Sequence, residues 1–317
     1  MDLLKPFALT FLLLFPLFGY SQNLYVRTFG QTSDPAILFL HGGPGYNAAS
    51  FEISTALPLA KAGFFVIVYD RRGEGRSLDY KAKFTFEQSC QDINALLDSF
   101  HIRQINLLGH SFGGMLAIEY AKKFSERVHS LVLVSAPIDL QESFRTIIAS
   151  CKKIYEDKSD TTGLKYLSML EAMDTTSLGY SSYSFMHAMS NGFYTPDSLS
   201  EAAKAIYQSI GVDTLGKYAA QMTYSPPQGF WKNEHYTTLN LSGDLRRIIE
   251  KGIPVYGIYG EEDGLYSEKQ LHGLGEILGE DRLMVLKNCS HSVFIDRQKR
   301  FIELILLAVN LETFGSD

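Results

Sequence analysis

A serine between two glycines is the residue in this chain best placed to do chemistry. Gly109-His110-Ser111-Phe112-Gly113 matches the nucleophile-elbow pattern Gly-x-Ser-x-Gly. An apolar run precedes it and a segment of helical period follows, so the serine falls on a strand-to-helix turn. Such a turn forces the serine toward an unfavourable backbone conformation, and a side chain at either glycine would collide with neighbouring elements. The pattern predicts Ser111 as a nucleophile.

A serine hydroxyl is a weak nucleophile at neutral pH, so a histidine must accept its proton. Among eight histidines, His291 is favoured because it follows the last apolar run, on the sheet edge expected for Ser111. His41 is expected to orient its own loop, and His110 to point away from the active face. A surface position is expected for three that flank predicted helices: His101, His129 and His272.

The histidine needs an acid to orient it, and Asp263 is the first candidate. It follows the penultimate apolar run and gives the chain order Ser, Asp, His. Asp139 is the runner-up, and Asp70 lies in an Arg-Arg-Gly context that is typical of a charged turn. Two further acids are weaker alternatives: Glu261 and Glu262.

A tetrahedral intermediate requires two hydrogen-bond donors for its oxyanion. The backbone N–H groups of Phe112 and Gly43 are predicted for this role, because glycines in His41-Gly42-Gly43-Pro44-Gly45 let the backbone approach a substrate. The same loop is a poor phosphate site, since Pro44 lacks a donor and no complete nucleotide-binding pattern occurs. Neither Cys-x-x-Cys nor His-Glu-x-x-His is present, so the sequence predicts no metal and no cofactor.

The elements that must position these residues follow an α/β pattern. Six apolar runs end in glycine-rich or acidic loops and alternate with helix-period segments, which predicts a mostly parallel sheet flanked by helices. The runs are 36–40, 64–69, 105–108, 131–134, 255–259 and 283–286, and an apolar helix over 301–311 closes the chain. Between the runs 131–134 and 255–259, the alternation of strands and helices stops for 110 residues that are rich in tyrosine and methionine. We predict a core of 22–137 and 248–317 with an inserted helical cap over 138–247.

The composition is that of a globular protein. The chain has 317 residues, a net charge of −6, 45% hydrophobic and 20% charged residues. The chain has no lysine-arginine tract, which excludes binding to nucleic acid and a basic patch that would bind a membrane surface. Cys90, Cys151 and Cys289 allow at most one disulfide and are expected as small buried hydrophobic residues.

The N-terminus predicts export. An apolar run over 7–18 follows Lys5, and small residues stand at Gly19 and Ser21, as in a signal peptide cleaved after Ser21. The run is shorter than the ~20 residues of a membrane span, and Pro16 also counts against an uncleaved anchor. The prediction is a signal peptide over 1–21, no stable membrane span after processing, and a periplasmic or secreted protein.

Three segments together resemble the α/β-hydrolase superfamily and its proline iminopeptidase branch. They are His41-Gly42-Gly43-Pro44-Gly45, Asp70-Arg71-Arg72-Gly73-Glu74-Gly75-Arg76-Ser77 and Gly109-His110-Ser111-Phe112-Gly113-Gly114. The resemblance implies the α/β-hydrolase fold, a triad of Ser111, Asp263 and His291, and an oxyanion hole of Gly43 and Phe112.

Members of this branch hold the substrate's free α-amino group with cap glutamates, one of them in a Glu-Asn-His-Tyr segment. This chain has Asn233-Glu234-His235-Tyr236, which makes Glu234 the candidate amine anchor. The branch's Trp-Glu signature is missing around 166–171, where the sequence reads Tyr-Leu-Ser-Met-Leu-Glu.

The function predicted from these observations is an exported serine hydrolase acting on a small molecule or short peptide. The first hypothesis is an aminopeptidase that removes proline or another small apolar residue. The alternative is a carboxylesterase or lactonase that uses the aromatic, methionine-rich cap as an apolar pocket. A third is a non-catalytic binding protein on the same fold.

Overall fold

The computed structural model describes residues 24–310, and within that range seven strands form a single sheet. The strand order is β1-β3-β2-β4-β5-β6-β7, with β1 antiparallel to β3 and the remaining pairs parallel. The strands are β1 (Val26–Phe29), β2 (Ala36–Leu40), β3 (Phe65–Tyr69), β4 (Ile105–His110), β5 (Val128–Val134), β6 (Val255–Gly260) and β7 (Leu283–Leu286). The six predicted runs are β2 to β7, which confirms the α/β class. The predicted signal peptide lies outside the described residues.

The edge strand β1 has no counterpart among the predicted runs. It is only four residues long, and its two middle residues, Arg27 and Thr28, are exposed. A short strand with this burial lacks the continuous apolar run that identifies the buried parallel strands.

Helices cover both faces of the sheet and fill the connection between β5 and β6. They are α1 (Ala49–Phe51), continued through a π-helical turn (Glu52–Ala56) into α2 (Leu57–Lys61), then α3 (Phe86–Ser99), α4 (Phe112–Lys123), α5 (Leu140–Asp157), α6 (Thr161–Glu171), α7 (Leu178–Ser190), α8 (Glu201–Val212), α9 (Gly216–Ala219), α10 (Ser225–Glu234), α11 (Ser242–Glu250), α12 (Glu268–Leu278), α13 (Val293–Asp296) and α14 (Gln298–Asn310).

The core follows the alternation of side chains along each strand. Leu107 belongs to an apolar cluster that includes Ile93 of α3 and Ile118 of α4. Its neighbour Leu108 belongs to a second cluster, which includes Phe301 of α14. Because both faces are covered, the parallel strands are buried throughout and their carboxyl ends present the loops that carry chemistry.

Helices α5 to α11 occupy the predicted cap region. Helix α5 packs against α6 and α7, while α11 packs against α4 and α12 of the sheet layers. The predicted boundary between 247 and 248 falls within α11, whose Leu245 and Ile248 are buried. The exact division into cap and core stays a prediction.

The three cysteines are buried and unpaired within the described chain. Burial raises the pKa of Cys90 to about 12 and that of Cys151 to about 11, so these thiols behave as small hydrophobic groups. Over residues 24–310 the structure contains no helix long and apolar enough to cross a membrane.

Candidate active site

Ser111 lies on a strained turn between β4 and α4. Its backbone has φ 52° and ψ −125°, a conformation that costs a non-glycine residue about 1–3 kcal/mol and persists only where surrounding packing enforces it. The two flanking glycines allow that packing. A β-carbon on Gly113 would lie 2.0 Å from the carbonyl oxygen of Leu40, and one on Gly109 would lie 2.6 Å from the Cα of Gly114.

His291 and Asp263 meet at the carboxyl ends of β6 and β7. Nδ1 of His291 lies 2.9 Å from Oδ2 of Asp263, and both side chains are buried. A carboxylate accepts, so Nδ1 carries the proton and Nε2 keeps a lone pair that can take a proton from a hydroxyl. The other carboxylate oxygen accepts from the backbone N–H of Leu265 at 3.2 Å, which holds the acid in place.

The two loops that carry this pair pack backbone to backbone. A β-carbon on Gly260 would lie 2.3 Å from the carbonyl oxygen of Cys289, so only glycine permits this approach. The backbone N–H of Glu262 donates to the same carbonyl at 2.9 Å. Adjacent parallel strands therefore bring an aspartate and a histidine together although 28 positions separate them.

The histidine beside the nucleophile supports the His291 loop. Nε2 of His110 lies 3.0 Å from the carbonyl oxygen of His291, and because that oxygen only accepts, His110 donates. The two rings lie 4.9 Å apart. Burial and the neighbouring His291 lower the pKa of His110 to about 3, so it is neutral at physiological pH.

The glycine-rich loop after β2 lies against the nucleophile. A β-carbon on Gly42 would lie 3.1 Å from Cβ of Ser111. Gly43 has φ 123°, a conformation that favours glycine. Phe112 is the first residue of α4, so its N–H has no acceptor within the helix and is free to face a ligand. Gly42, the neighbour of Gly43, thus lies against the turn that carries Ser111, and Phe112 follows Ser111 directly on that turn.

The segment predicted to be a charged turn does form a turn, with a backbone hydrogen bond from Glu74 N–H to the Arg71 carbonyl at 2.9 Å, and two of its charged side chains are buried beneath this loop. Arg71 and Glu74 form an ion pair of 2.9 Å and are 2% and 0% exposed. Nε2 of His41 accepts from the backbone N–H of Arg71 at 3.0 Å, so His41 orients the loop as expected. Sequence reasoning did not identify the burial of this pair, because it depends on backbone partners that only folding brings within hydrogen-bonding distance.

Two of the alternative acids, Asp139 and Asp70, have other partners. Asp139 accepts from the backbone N–H groups of Gln141 and Glu142 at 3.0 and 3.2 Å and so caps α5. Asp70 is buried against Arg76 at 2.7 Å. Among the described residues, Asp263 is the acid whose contact with His291 the structure shows.

Asp296 is a second buried acid near the histidine, and the sequence patterns did not single it out. Its Oδ2 accepts from the backbone N–H of Ser290 at 2.9 Å, and its Oδ1 accepts from the hydroxyl of Tyr207 on α8 at 2.9 Å. Burial raises the pKa of Asp296. This carboxyl group ties a helix of the predicted cap to the residue that precedes His291.

Aromatic groups of the connection between α7 and α8 also reach the site. The ring of Tyr194 lies 5.0 Å from that of His291 in an edge-to-face arrangement. The carbonyl oxygen of Phe193 accepts from the hydroxyl of Ser290 at 2.9 Å. Burial and the charge of Asp263 raise the pKa of Tyr194, so this hydroxyl is neutral beside the histidine.

Glu234, the candidate amine anchor, contacts the protein backbone. Its Oε1 accepts from the N–H of Phe86, the first residue of α3, at 2.8 Å. The amide of Asn233 donates to the carbonyl of Lys83 at 2.7 Å, and the ring of Tyr236 packs 5.4 Å from that of Phe112. This segment docks the predicted cap onto the sheet layers beside the nucleophile.

A metal site is not evident in residues 24–310, where no three His, Cys, Asp or Glu side chains converge in a metal-binding arrangement.

Comparison with known proteins identifies relatives of the same architecture. The model of the α/β-hydrolase fold family matches residues 35–298. Over 125 residues the chain is 38% identical to a proline iminopeptidase of Lactobacillus helveticus, a match that covers 38% of this chain and 42% of the relative. It is 28% identical over 302 residues to a proline iminopeptidase of Lactobacillus delbrueckii subsp. lactis, covering 91% of this chain and 94% of the relative.

Solved structures agree on the fold. A proline iminopeptidase-related protein from Thermus thermophilus superposes with a TM-score of 0.62 at 24% identity, covering 90% of this chain and 94% of its own. An esterase from Exiguobacterium antarcticum superposes with a TM-score of 0.61 at 19% identity, covering 90% and 95%. Peptidase-like and esterase structures thus share this fold.

Proposed function

The chain belongs to the α/β-hydrolase fold family, and on that premise we propose that it is a serine hydrolase that works through an acyl-enzyme on Ser111. The observation that carries the proposal is the buried contact of 2.9 Å between Nδ1 of His291 and Oδ2 of Asp263. Support also comes from the strained turn at Ser111, which presents a nucleophile, and from the positions of the two proposed donors: Phe112 follows Ser111 directly, and Gly43 follows Gly42, which lies against Ser111.

The proposed reaction has two half-reactions. Oγ of Ser111 attacks the substrate carbonyl carbon while its proton passes to Nε2 of His291, and the N–H groups of Gly43 and Phe112 stabilise the oxyanion. The tetrahedral intermediate collapses, the bond to the leaving group breaks, and that group departs with the proton from His291. Water then attacks the acyl-enzyme by the same route, which releases the acid and regenerates the serine. Asp263 stabilises the imidazolium in both steps.

For the substrate we propose a short peptide with a free N-terminus, cleaved in the manner of a proline iminopeptidase. The supporting observation is that relatives bearing this name match about nine-tenths of the chain. An ester or lactone with a small apolar acyl group is the second candidate. Two contacts favour it: Glu234 is engaged by the backbone of α3, and the ring of Tyr194 lies against His291.

Two measurements test these proposals. A fluorophosphonate probe is expected to label the wild-type protein at Ser111 and to leave Ser111→Ala unlabelled; an unlabelled wild type would instead favour the non-catalytic binding protein. Rates with prolyl and alanyl anilides and with short-chain nitrophenyl esters then separate the substrates. Hydrolysis of the anilides identifies a peptidase, and hydrolysis of the esters alone identifies the second candidate.

We also propose that the protein is exported and that its signal peptide is cleaved after Ser21. The apolar run over 7–18 and the small residues at Gly19 and Ser21 support this. N-terminal sequencing of the protein from the producing cell is expected to begin at Gln22, and a chain that begins at Met1 in the exported fraction would contradict it.

A further inference from the structure

A buried ion pair lies against the loop that supplies one of the proposed oxyanion donors. Arg71 and Glu74 are almost fully buried, and burying two charges is costly unless their remaining hydrogen-bonding groups are satisfied. The backbone of the glycine-rich loop satisfies them. Arg71 donates to the carbonyl oxygens of His41 and Gly42, and Glu74 accepts from the N–H of Gly45 at 2.7 Å.

The contact with the Gly42 carbonyl determines how the peptide group between Gly42 and Gly43 is oriented. The Gly42 carbonyl accepts from Nη2 of Arg71 at 2.7 Å and from Nδ1 of His41 at 2.8 Å. In a trans peptide the carbonyl and the following N–H point in opposite directions. Holding the Gly42 carbonyl toward Arg71 therefore turns the N–H of Gly43 away from it, in the loop that adjoins Ser111.

We propose that Arg71 is a positioning residue for the oxyanion hole, held in place by Glu74; this inference rests on the proposed serine hydrolase function. A guanidinium is suited to the role, because its fork of donors reaches two carbonyls and a carboxylate at once, which an ammonium does not. Its charge-assisted bond to Gly42 also polarises the shared amide and strengthens Gly43 as a donor. The guanidinium lies 5.1 Å from the ring centre of Phe112, the second donor residue.

The test is Arg71→Lys, with Arg72→Lys as the matched control. Arg72 is the neighbouring arginine, and its guanidinium pairs with Asp92 and Asp79 at 2.6 and 2.9 Å rather than with the loop. For Arg71→Lys we expect kcat to fall about 10- to 100-fold, below the roughly 10²- to 10³-fold loss of a whole oxyanion donor, with KM little changed. Affinity for a trifluoromethyl ketone, which forms a tetrahedral adduct, should weaken in proportion to kcat/KM. Arg72→Lys should change neither kcat nor the affinity for the trifluoromethyl ketone.

A second variant covers the case in which Arg71→Lys does not fold. Glu74→Gln keeps an acceptor for Gly45 and removes the charge that holds the guanidinium, so kcat should fall with KM retained. The inference is overturned if folded Arg71→Lys keeps the wild-type kcat. If Arg71→Lys does not fold, an unchanged kcat in Glu74→Gln overturns it. A variant that raises KM and leaves kcat unchanged also overturns it. Failure of the wild type to react with the fluorophosphonate at Ser111 overturns the proposed function instead, so the two failures are distinguishable.

Discussion

The carboxylate of Glu234 accepts a hydrogen bond of 2.8 Å from the backbone N–H of Phe86, the first residue of α3. An acid at this position satisfies one of the free donors of the helix and interacts favourably with the positive end of its dipole. The residue that the sequence singles out as a candidate amine anchor joins α10 to α3 in the structure.

Glu234→Ala is expected to lower the free energy of unfolding by about 1 kcal/mol, because the Phe86 N–H at the start of α3 loses its acceptor. Glu234→Gln keeps an acceptor oxygen and should leave both stability and the KM for an anilide substrate nearly unchanged. Urea denaturation and steady-state kinetics measure these effects, with the exposed Glu250→Gln as the control. A several-fold rise of KM for anilides in Glu234→Gln, with KM for esters retained, would restore the amine-anchor role.

The two candidate acids give a matched pair of variants. Asp263→Asn is expected to reduce kcat by about 10³- to 10⁴-fold, because an amide cannot stabilise the imidazolium and favours the wrong tautomer of His291. Asp139→Asn should leave kcat unchanged, since asparagine caps a helix as well as aspartate does. Full activity in the first variant with collapse in the second would reverse the assignment.

Stability should depend on pH through Asp296. Burial raises its pKa in the folded protein, whereas an unfolded aspartate titrates near about 3.9. Stability from this group is therefore complete below the unfolded pKa and is lost as pH rises through the folded pKa. Asp296→Asn can accept from the Ser290 N–H through its amide oxygen and donate from its amide nitrogen to the Tyr207 hydroxyl, without the charge. Its stability relative to wild type should therefore rise as pH increases above about 4.

Urea denaturation at several pH values measures this difference. The exposed Asp157→Asn is the control for the loss of one negative charge. A stability difference between Asp296→Asn and the wild type that stays constant over this range would contradict the assignment.

The acid limb of the activity profile should titrate a single proton. Burial and His291 lower the pKa of His110 to about 3, so His110 stays neutral wherever the enzyme is active. A plot of log kcat/KM against pH should therefore rise with a slope of one below the optimum. A slope of two would show that both neighbouring imidazoles take up protons in the active range.

The sequence by itself determined six of the seven strands in the described residues, and the residues at their carboxyl ends. Buried parallel strands are continuous apolar runs, so the apolar pattern located β2 to β7. The glycines around Ser111 predicted a turn in which a β-carbon at either position would collide with the neighbouring backbone. The edge strand β1 was missed because half of its residues face solvent. The buried strands and the Ser111 turn depend on residues that are neighbours in the sequence, so local sequence patterns are enough to identify them.

Only the tertiary structure decided what the charged side chains contact. Glu234 meets Phe86 across 148 positions, and Arg71 reaches the glycine-rich loop across about 30. No spacing in the sequence tells a solvated acid from one that caps a distant helix. Nor does it tell a surface turn from a buried ion pair, because burying a charge depends on partners that folding alone brings within hydrogen-bonding distance.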